Sequence, residues 1–418
     1  MTLARAANAE PANLAARTPG MVIKSLGAVL AVAGVAWGIG QVSDSSAATA
    51  HSSLLSKKSG VECVKDRFGR ECGTGVGIEN SELAISPDGN NAYLLIPFFD
   101  SEGERAEIQI YDRNPATGSL VQKQGTAGCI AEGKRKGCAQ ARGLRFGDAI
   151  EISPDGRNVY ALTESGIVIF DRDPSTGNLT QPAGAAGCIT SDLKRNPTCA
   201  PGRSLGAGIA ISPDGLNVYT DGGSLATFDR DPTTGALTQK PGSEGAKRLG
   251  RGGFGVLVSP DGRNVYASTE RPDRMTTFDR DPTTGALTRV PGRAGCISEK
   301  GKGGCRRGHE LIGAGLSISL DGRSVYGADS YGPGAPDYGS LMILERLPDG
   351  SLTQRPGRAG CFVLYEGDGC ARANSLSEAN DTTVSADGKR VYVFNYYDSD
   401  AAIFTRHPSG RLTEGPDR

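Results

Sequence analysis

The side chains in this sequence best suited to chemistry are carboxylates. Glu82, Asp148, Glu164, Glu270, Asp329 and Asp381 stand at related places along the chain, with further acids in residues 100–104, 270–273 and 398–400 and at Asp221. A ring of such oxygens suits calcium, which prefers hard oxygen ligands. Burial and crowding also lift a carboxyl pKa, which makes the group a candidate acid or base near neutral pH. The competing reading is solvated charge, since loops carry acids for solubility as well as for function. Nucleophilic catalysis has less material. The three histidines, His51, His309 and His407, fall in parts of the chain that no plausible site would share. Gly202-Arg203-Ser204-Leu205-Gly206 matches the nucleophile-elbow pattern, but that pattern signifies a nucleophile only between a strand and a helix of an α/β sheet. Here it leads into a strand.

Cysteine is the second chemically informative residue. The ten cysteines fall as Cys63 with Cys72, Cys129 with Cys138, Cys188 with Cys199, Cys296 with Cys305, and Cys361 with Cys370. The corresponding stretch at residues 241–252 has lost both cysteines together, as expected of a pair bonded to itself. Zinc is the rival, but the spacing within each pair is wider than a ligand knuckle and only His309 lies nearby as a further ligand. Five local disulfides are therefore expected, with no free thiol, and each short loop closed in this way adds about 2–3 kcal/mol in the chain-entropy picture. Basic clusters at 134–136, 194–195 and 306–307 flank these loops and would attract an anionic sugar, polymer or partner.

Disulfides need an oxidising compartment, and the amino end supplies a route to one. Arg17 and Lys24 precede an uncharged stretch from Ser25 to Gly40, and Ala48-Thr49-Ala50 places small residues before His51. Residues 1–50 read as a signal peptide, with Met21 as an alternative start, and 51–418 as one secreted or envelope domain. The apolar stretch is shorter than the about 20 residues that span a bilayer. An uncleaved anchor is the alternative. A formal net charge of −1 gives no pull toward nucleic acid.

These residues are positioned by a repeat. Turns of the type Ser-Pro-Asp-Gly begin at Ser86, Ser153, Ser212, Ser259, Ser319 and Ser385, each after an apolar alternation and each followed by a tyrosine: Tyr93, Tyr160, Tyr219, Tyr266, Tyr326 and Tyr392. Proline presets φ, aspartate bonds the backbone ahead, and glycine takes positive φ. Short β-branched runs between turns give four strands per copy. Ile85, Ile152, Ile211, Val258, Ile318 and Val384 share one register of the first strand. One small sheet cannot bury both faces, so copies must stack, and a closed ring gives each a neighbour on both sides. The expected fold is all-β, a propeller of six four-stranded blades, with seven as the alternative. Residues 53–58 hold the register of 119–123, so the amino end and residues 411–413 compete for the last outer strand.

The segments Ser259-Pro260-Asp261-Gly262-Arg263-Asn264-Val265-Tyr266 and Thr277-Phe278-Asp279-Arg280-Asp281-Pro282-Thr283-Thr284-Gly285-Ala286-Leu287-Thr288 resemble repeats of the bacterial lactonase-type propeller family, including its 6-phosphogluconolactonase-like and YVTN-like members. The resemblance implies a seven-bladed propeller and hydrolysis or formation of lactones of sugar or aromatic acids. Two functions follow. One is a monomeric exported propeller that binds a protein, glycan or small molecule through the face carrying the cysteine loops, with no nucleic-acid partner. The other is a lactonase-like hydrolase, metal-assisted through Glu82, Asp148, Glu164, Glu270, Asp329 or Asp381, with calcium as the candidate ion.

Overall fold

The Ser-x-Asp-Gly turns fold as their residues dictate. In the second copy Ser153 Oγ donates to Asp155 Oδ1 at 2.5 Å and accepts the Asn158 N–H at 3.0 Å, while the Gly156 N–H reaches Ser153 O at 2.8 Å. The result is a tight reversal between two strands. The computed structural model describes residues 82–415, less 101–102, 117–118, 134, 165, 312–314, 331–338, 366–368, 378, 386 and 396–400, together with the strand pair Trp37–Gly38 and Leu55–Ser56. The described sheets belong to one unit, Gly34–Arg418. The rest of the expected signal segment lies outside the described residues.

Six sheets follow one another along the chain, each stacked on the next through its first strand, as the propeller reading requires. They are called blades 1 to 6 here. In blade 2 the strands Gly147–Ile152, Asn158–Thr163 and Gly166–Arg172 run antiparallel, and Leu179–Thr180 pairs with the last two residues of the third. The blades are wider than the four strands expected. Cys188–Thr190 pairs with the other end of the third strand, and Ala200–Pro201 lies parallel to it. What the spacing suggests is a loop is therefore a fifth and a sixth strand. Blades 1, 2, 4 and 5 share this plan, blade 3 keeps five strands with Ala246–Arg248 in the fifth place, and blade 6 has four among the described residues.

Four disulfides, Cys129–Cys138, Cys188–Cys199, Cys296–Cys305 and Cys361–Cys370, tie the fifth strand to the sixth, and the described residues contain no free cysteine. The fifth pair, Cys63 with Cys72, lies outside the described residues. Three strand spacings of about 4.8 Å separate each disulfide from the axis-lining strand. The disulfides thus brace the outer rim, not the mouth. The competition for the last outer strand is also settled: Leu412–Glu414 pairs with Phe404–Arg406, whereas Leu55–Ser56 pairs with Trp37–Gly38.

The core runs across blade boundaries. Tyr93, Leu95 and Ile108 of blade 1 pack with Ile150, Val159, Val168 and Phe170 of blade 2, and similar clusters join later neighbours. A polar lock accompanies each apolar seam. Arg172 of blade 2 sends Nε to Tyr93 Oη at 2.7 Å and Nη2 to Asp88 at 2.9 Å and Asn91 at 2.6 Å, all on blade 1, while Nη1 bonds its own Gly156 O at 3.0 Å. Arg230 repeats the set with Tyr160, Asp155 and Asn158, and Arg280 with Tyr219, Asp214 and Asn217. Arg346 takes Tyr266, Asp261 and Asn264, and Arg406 takes Tyr326 and Asp321. Each of the first four tyrosines donates its own O–H to a turn carbonyl of the next blade, Tyr219 to Gly285 O at 3.1 Å among them.

Gly285 shows how tightly such a seam is built. Its φ is +68°, and a Cβ there would lie 2.1 Å from the Asn217 side chain of the preceding blade. Gly285→Ala is expected to lower stability by about 2 kcal/mol or more, combining backbone strain with displacement of a lock residue. Urea unfolding of the variant beside the parent measures this.

Candidate functional site

The mouth of the propeller is the end at which first strands begin and second strands finish. Asp148 occupies it on blade 2, five residues before its turn serine where Glu82 and Asp381 stand four before theirs, and the pairing of the first two strands shifts register across it, between Leu162 and Thr163. The residue is partly exposed, with protein packed around most of it. Burial, and secondarily the charge of Glu164, pushes its pKa up to about 7. Glu164 sits in the turn between the second and third strands of the same blade and donates its backbone N–H to Phe146 O at 3.3 Å. One carboxyl that holds its proton near neutrality thus stands within electrostatic reach of another acid.

The other expected acids are dispersed. Glu270 is engaged by Arg271 Nη2 at 2.9 Å, and its charge adds to burial in raising the pKa of Asp273. Asp329 is buried at the end of the second strand of blade 5, opposite Ser340. Asp381 accepts the Thr382 N–H at 2.7 Å and packs on Gly315 of blade 5, while Thr382 bonds Gly315 O and Ser317 across the same seam. Glu82 opens the first strand of blade 1, opposite Leu95. Of the six acids singled out, the structure couples Asp148 with Glu164. Among the described residues no three His, Cys, Asp or Glu side chains are grouped as they would be to hold a metal ion.

Asp221 is the buried acid whose setting the sequence reading missed. It is sealed at the end of the second strand of blade 3, and burial pushes its pKa up to about 7 although the Gly223 N–H bonds Oδ1 at 3.1 Å. Its Oδ2 has no hydrogen-bond partner. A Cβ on Gly253 of blade 4 would come within 2.2 Å of Oδ1, so the glycine in the Gly252-Gly253-Phe254-Gly255 run is what lets the carboxyl lie there. That run is the signal that would have found it.

The remaining candidates have structural roles. His309 Nδ1 lies 3.8 Å from Glu299 in the loop after the sixth strand of blade 4, and His407 Nε2 lies 3.0 Å from Thr413 at the opposite end of the propeller; His51 is outside the described residues. Ser204 has φ +60°, but Glu310 before Leu311 has φ +54° in the matching loop as Ser204 before Leu205. The positive φ belongs to a recurring loop bend.

Fold and repeat together define a β-propeller. Within that class, residues 188–296, from the fifth strand of blade 2 to that of blade 4, match the family described as Lactonase, 7-bladed beta-propeller. Six blades are described in this chain, against seven in that description. A candidate 6-phosphogluconolactonase from Bacteroides uniformis is 16% identical over 92% of this chain and 96% of its own, with a TM-score of 0.53. Another, from Bacteroides fragilis, is 14% identical over 92% and 94%, with a TM-score of 0.54. At such identities the likeness establishes the fold. No curated protein matches the sequence.

The raised pKa of Asp148 has a stability consequence with a definite sign. Its folded value of about 7 exceeds the ordinary 3.8, so the folded state holds the proton more tightly between these pH values. The group's contribution is most favourable below pH 4 and declines as pH rises toward 7. Asp148→Asn, which cannot ionise, is expected to gain a few degrees in Tm over the parent at pH 8 and little at pH 4. Thermal unfolding across that range reads the difference.

Proposed function

We propose that this chain is an exported lactonase-like propeller that binds a small hydroxylated ligand, of the sugar or sugar-lactone kind, at its mouth beside Asp148 and Glu164. The observation that carries this is Asp148, a partly exposed residue whose carboxyl is pushed up to about 7 by burial and by the charge of a second acid, Glu164. A protonated Asp148 carboxyl donates to a ligand oxygen, while a carboxyl oxygen of Glu164 accepts from a hydroxyl. Together they match the mixed donors and acceptors of a polyol. Export is supported by the four rim disulfides, which need an oxidising compartment, and by the signal-like residues 1–50.

Hydrolysis of a lactone is the second reading, and the same residue favours it. A carboxylate that titrates near neutrality is matched to general-base work at that pH. In its ionised form Asp148 would take a proton from water as the water oxygen bonds to the lactone carbonyl. The ring C–O bond then breaks and the proton returns to the departing alkoxide. Glu164 would assist by holding the water or a ligand hydroxyl.

Titration calorimetry with a panel of sugars, sugar acids and their lactones, paired with turnover of the lactones, tests both readings. The expected result is binding of at least one panel member that falls tenfold or more in Asp148→Asn and Glu164→Gln. Turnover lost in Asp148→Asn makes the protein a hydrolase. Binding that neither substitution weakens removes the mouth from both accounts.

A further inference from the structure

Successive blades meet in the same frame, but one seam is filled differently from the others. Between the lock and the mouth, the seam from blade 1 to blade 2 brings Leu95 and Ile110 against Val168 and Gly166, and the next brings Leu162 and Ile169 against Ala226. At the same registers the seam from blade 3 to blade 4 has Asp221 and Thr227 on one wall and Thr276 and Arg274 on the other. Asp221, Thr227 and Thr276 are 0% exposed. Among the described residues, Asp221 Oδ2, Thr227 Oγ1, Thr276 Oγ1 and Arg274 Nε are all buried without a hydrogen-bond partner, although Arg274 Nη2 reaches Leu249 O at 2.6 Å. Such atoms destabilise a seam only while it is shut, because water satisfies them once it opens.

The same seam lacks two devices that hold the chain at its neighbours. Gln181 of blade 2 accepts the Arg142 N–H at 2.8 Å and donates to Arg142 O at 3.0 Å, clasping the chain that has just left blade 1. Gln239 clasps Arg203 and Gln354 clasps His309 in the same way. In blade 4 that place is Arg289, and the segment it faces, 241–252, is also the one without cysteines. Burial, and secondarily the like charge of Arg289, holds Arg274 below its ordinary pKa. Nearer the axis a Cβ on Gly208 would lie 3.0 Å from Gly255 Cα, so the two first strands meet backbone to backbone with little apolar surface between them. The seam from blade 4 to blade 5 also carries hydroxyls, at Ser268, Thr277 and Ser340, but it keeps the Cys296–Cys305 bridge and the Gln354 clasp. At the turn end nothing is missing: Arg280 makes its full set of bonds to Tyr219, Asp214 and Asn217.

We infer that the propeller opens at the seam between blades 3 and 4, its mouth end gaping while the Arg280 lock at the turn end acts as the pivot. Opening gives water to four polar atoms that have no partner when the seam is shut, and it breaks neither a bridge nor a glutamine clasp. Shutting returns Asp221 to its place over Gly253. Local opening of this kind draws on the least stable contacts of a fold, and these are the contacts in which this seam differs from its neighbours. The inference stands independently of the ligand at the mouth.

Thiol labelling of the folded full chain tests it, with the modified position located by peptide mapping. Thr227→Cys should react with a maleimide at least about tenfold faster than Thr277→Cys, the same substitution at the same register one seam on, where the side chain is also buried and unpartnered. Thr276→Cys, on the opposite wall of the opening seam, should react as fast as Thr227→Cys and repeats the measurement if that variant folds poorly. Val265→Cys, buried in the same seam near the turn end, should react no faster than Thr277→Cys. Equal rates at 227, 276 and 277 overturn the opening. A rate at 265 that matches those at 227 and 276 overturns the pivot, since the blades would then part along their whole length.

Discussion

A guanidinium sealed between two sheets must find an acceptor for each of its N–H edges, because water cannot reach it and an unmet charge in a seam is severely penalised. Much of the arrangement of this propeller can be read as the answer to that constraint. Arg172, Arg230 and Arg280 each bond their own turn carbonyl, the phenol of the preceding blade, and its aspartate and asparagine. The tyrosine must stay protonated to pass its hydrogen to the next turn, and burial does this by pushing the phenol pKa up in Tyr93, Tyr160 and Tyr219. Turn, second strand and third strand are thereby fixed to one another across a blade boundary. Apolar packing supplies most of the burial, but the lock sets how neighbouring blades align.

The same chemistry separates the two ends of the molecule. At the turn end Asp88, Asp155, Asp214, Asp261 and Asp321 are pushed up by burial, but hydrogen bonds from the turn serine and backbone and the charge of the next blade's arginine outweigh it and hold them below the ordinary range. At the mouth, among the described residues, no arginine of this kind stands by Asp148 or Asp221, and burial lifts both to about 7. One end uses its acids ionised, for structure. The other keeps acids poised, which is the condition for binding or proton transfer.

What the sequence revealed and concealed follows from how local each feature is. The cysteine bridges and Ser-x-Asp-Gly turns involve residues within about ten positions, so spacing alone identified them. That the bridged segments are strands escaped notice because Cys188–Thr190 and Ala200–Pro201 are two or three residues long and gain their conformation from the third strand beside them. The tyrosines were visible as a repeat, but Tyr160 acts on Arg230, seventy residues away, and only the stacking of blades brings them together. The carboxylate site was the least legible. Glu82, Asp148 and Asp381 all enter first strands, yet the charge felt by Asp148 is that of Glu164, in the turn after the second strand of its own blade, and Asp221 depends on a glycine in the next blade.

The dependence of the fold on the lock is tested most directly by a double-mutant cycle between Tyr219 and Arg280, using Tyr219→Phe, Arg280→Met and both together in equilibrium unfolding. The lock predicts a coupling of about 1.5–3 kcal/mol, the range for a hydrogen bond to a charged group, and none between Tyr219→Phe and Arg172→Met, which belong to different seams. Additive losses for Tyr219 and Arg280 would contradict it.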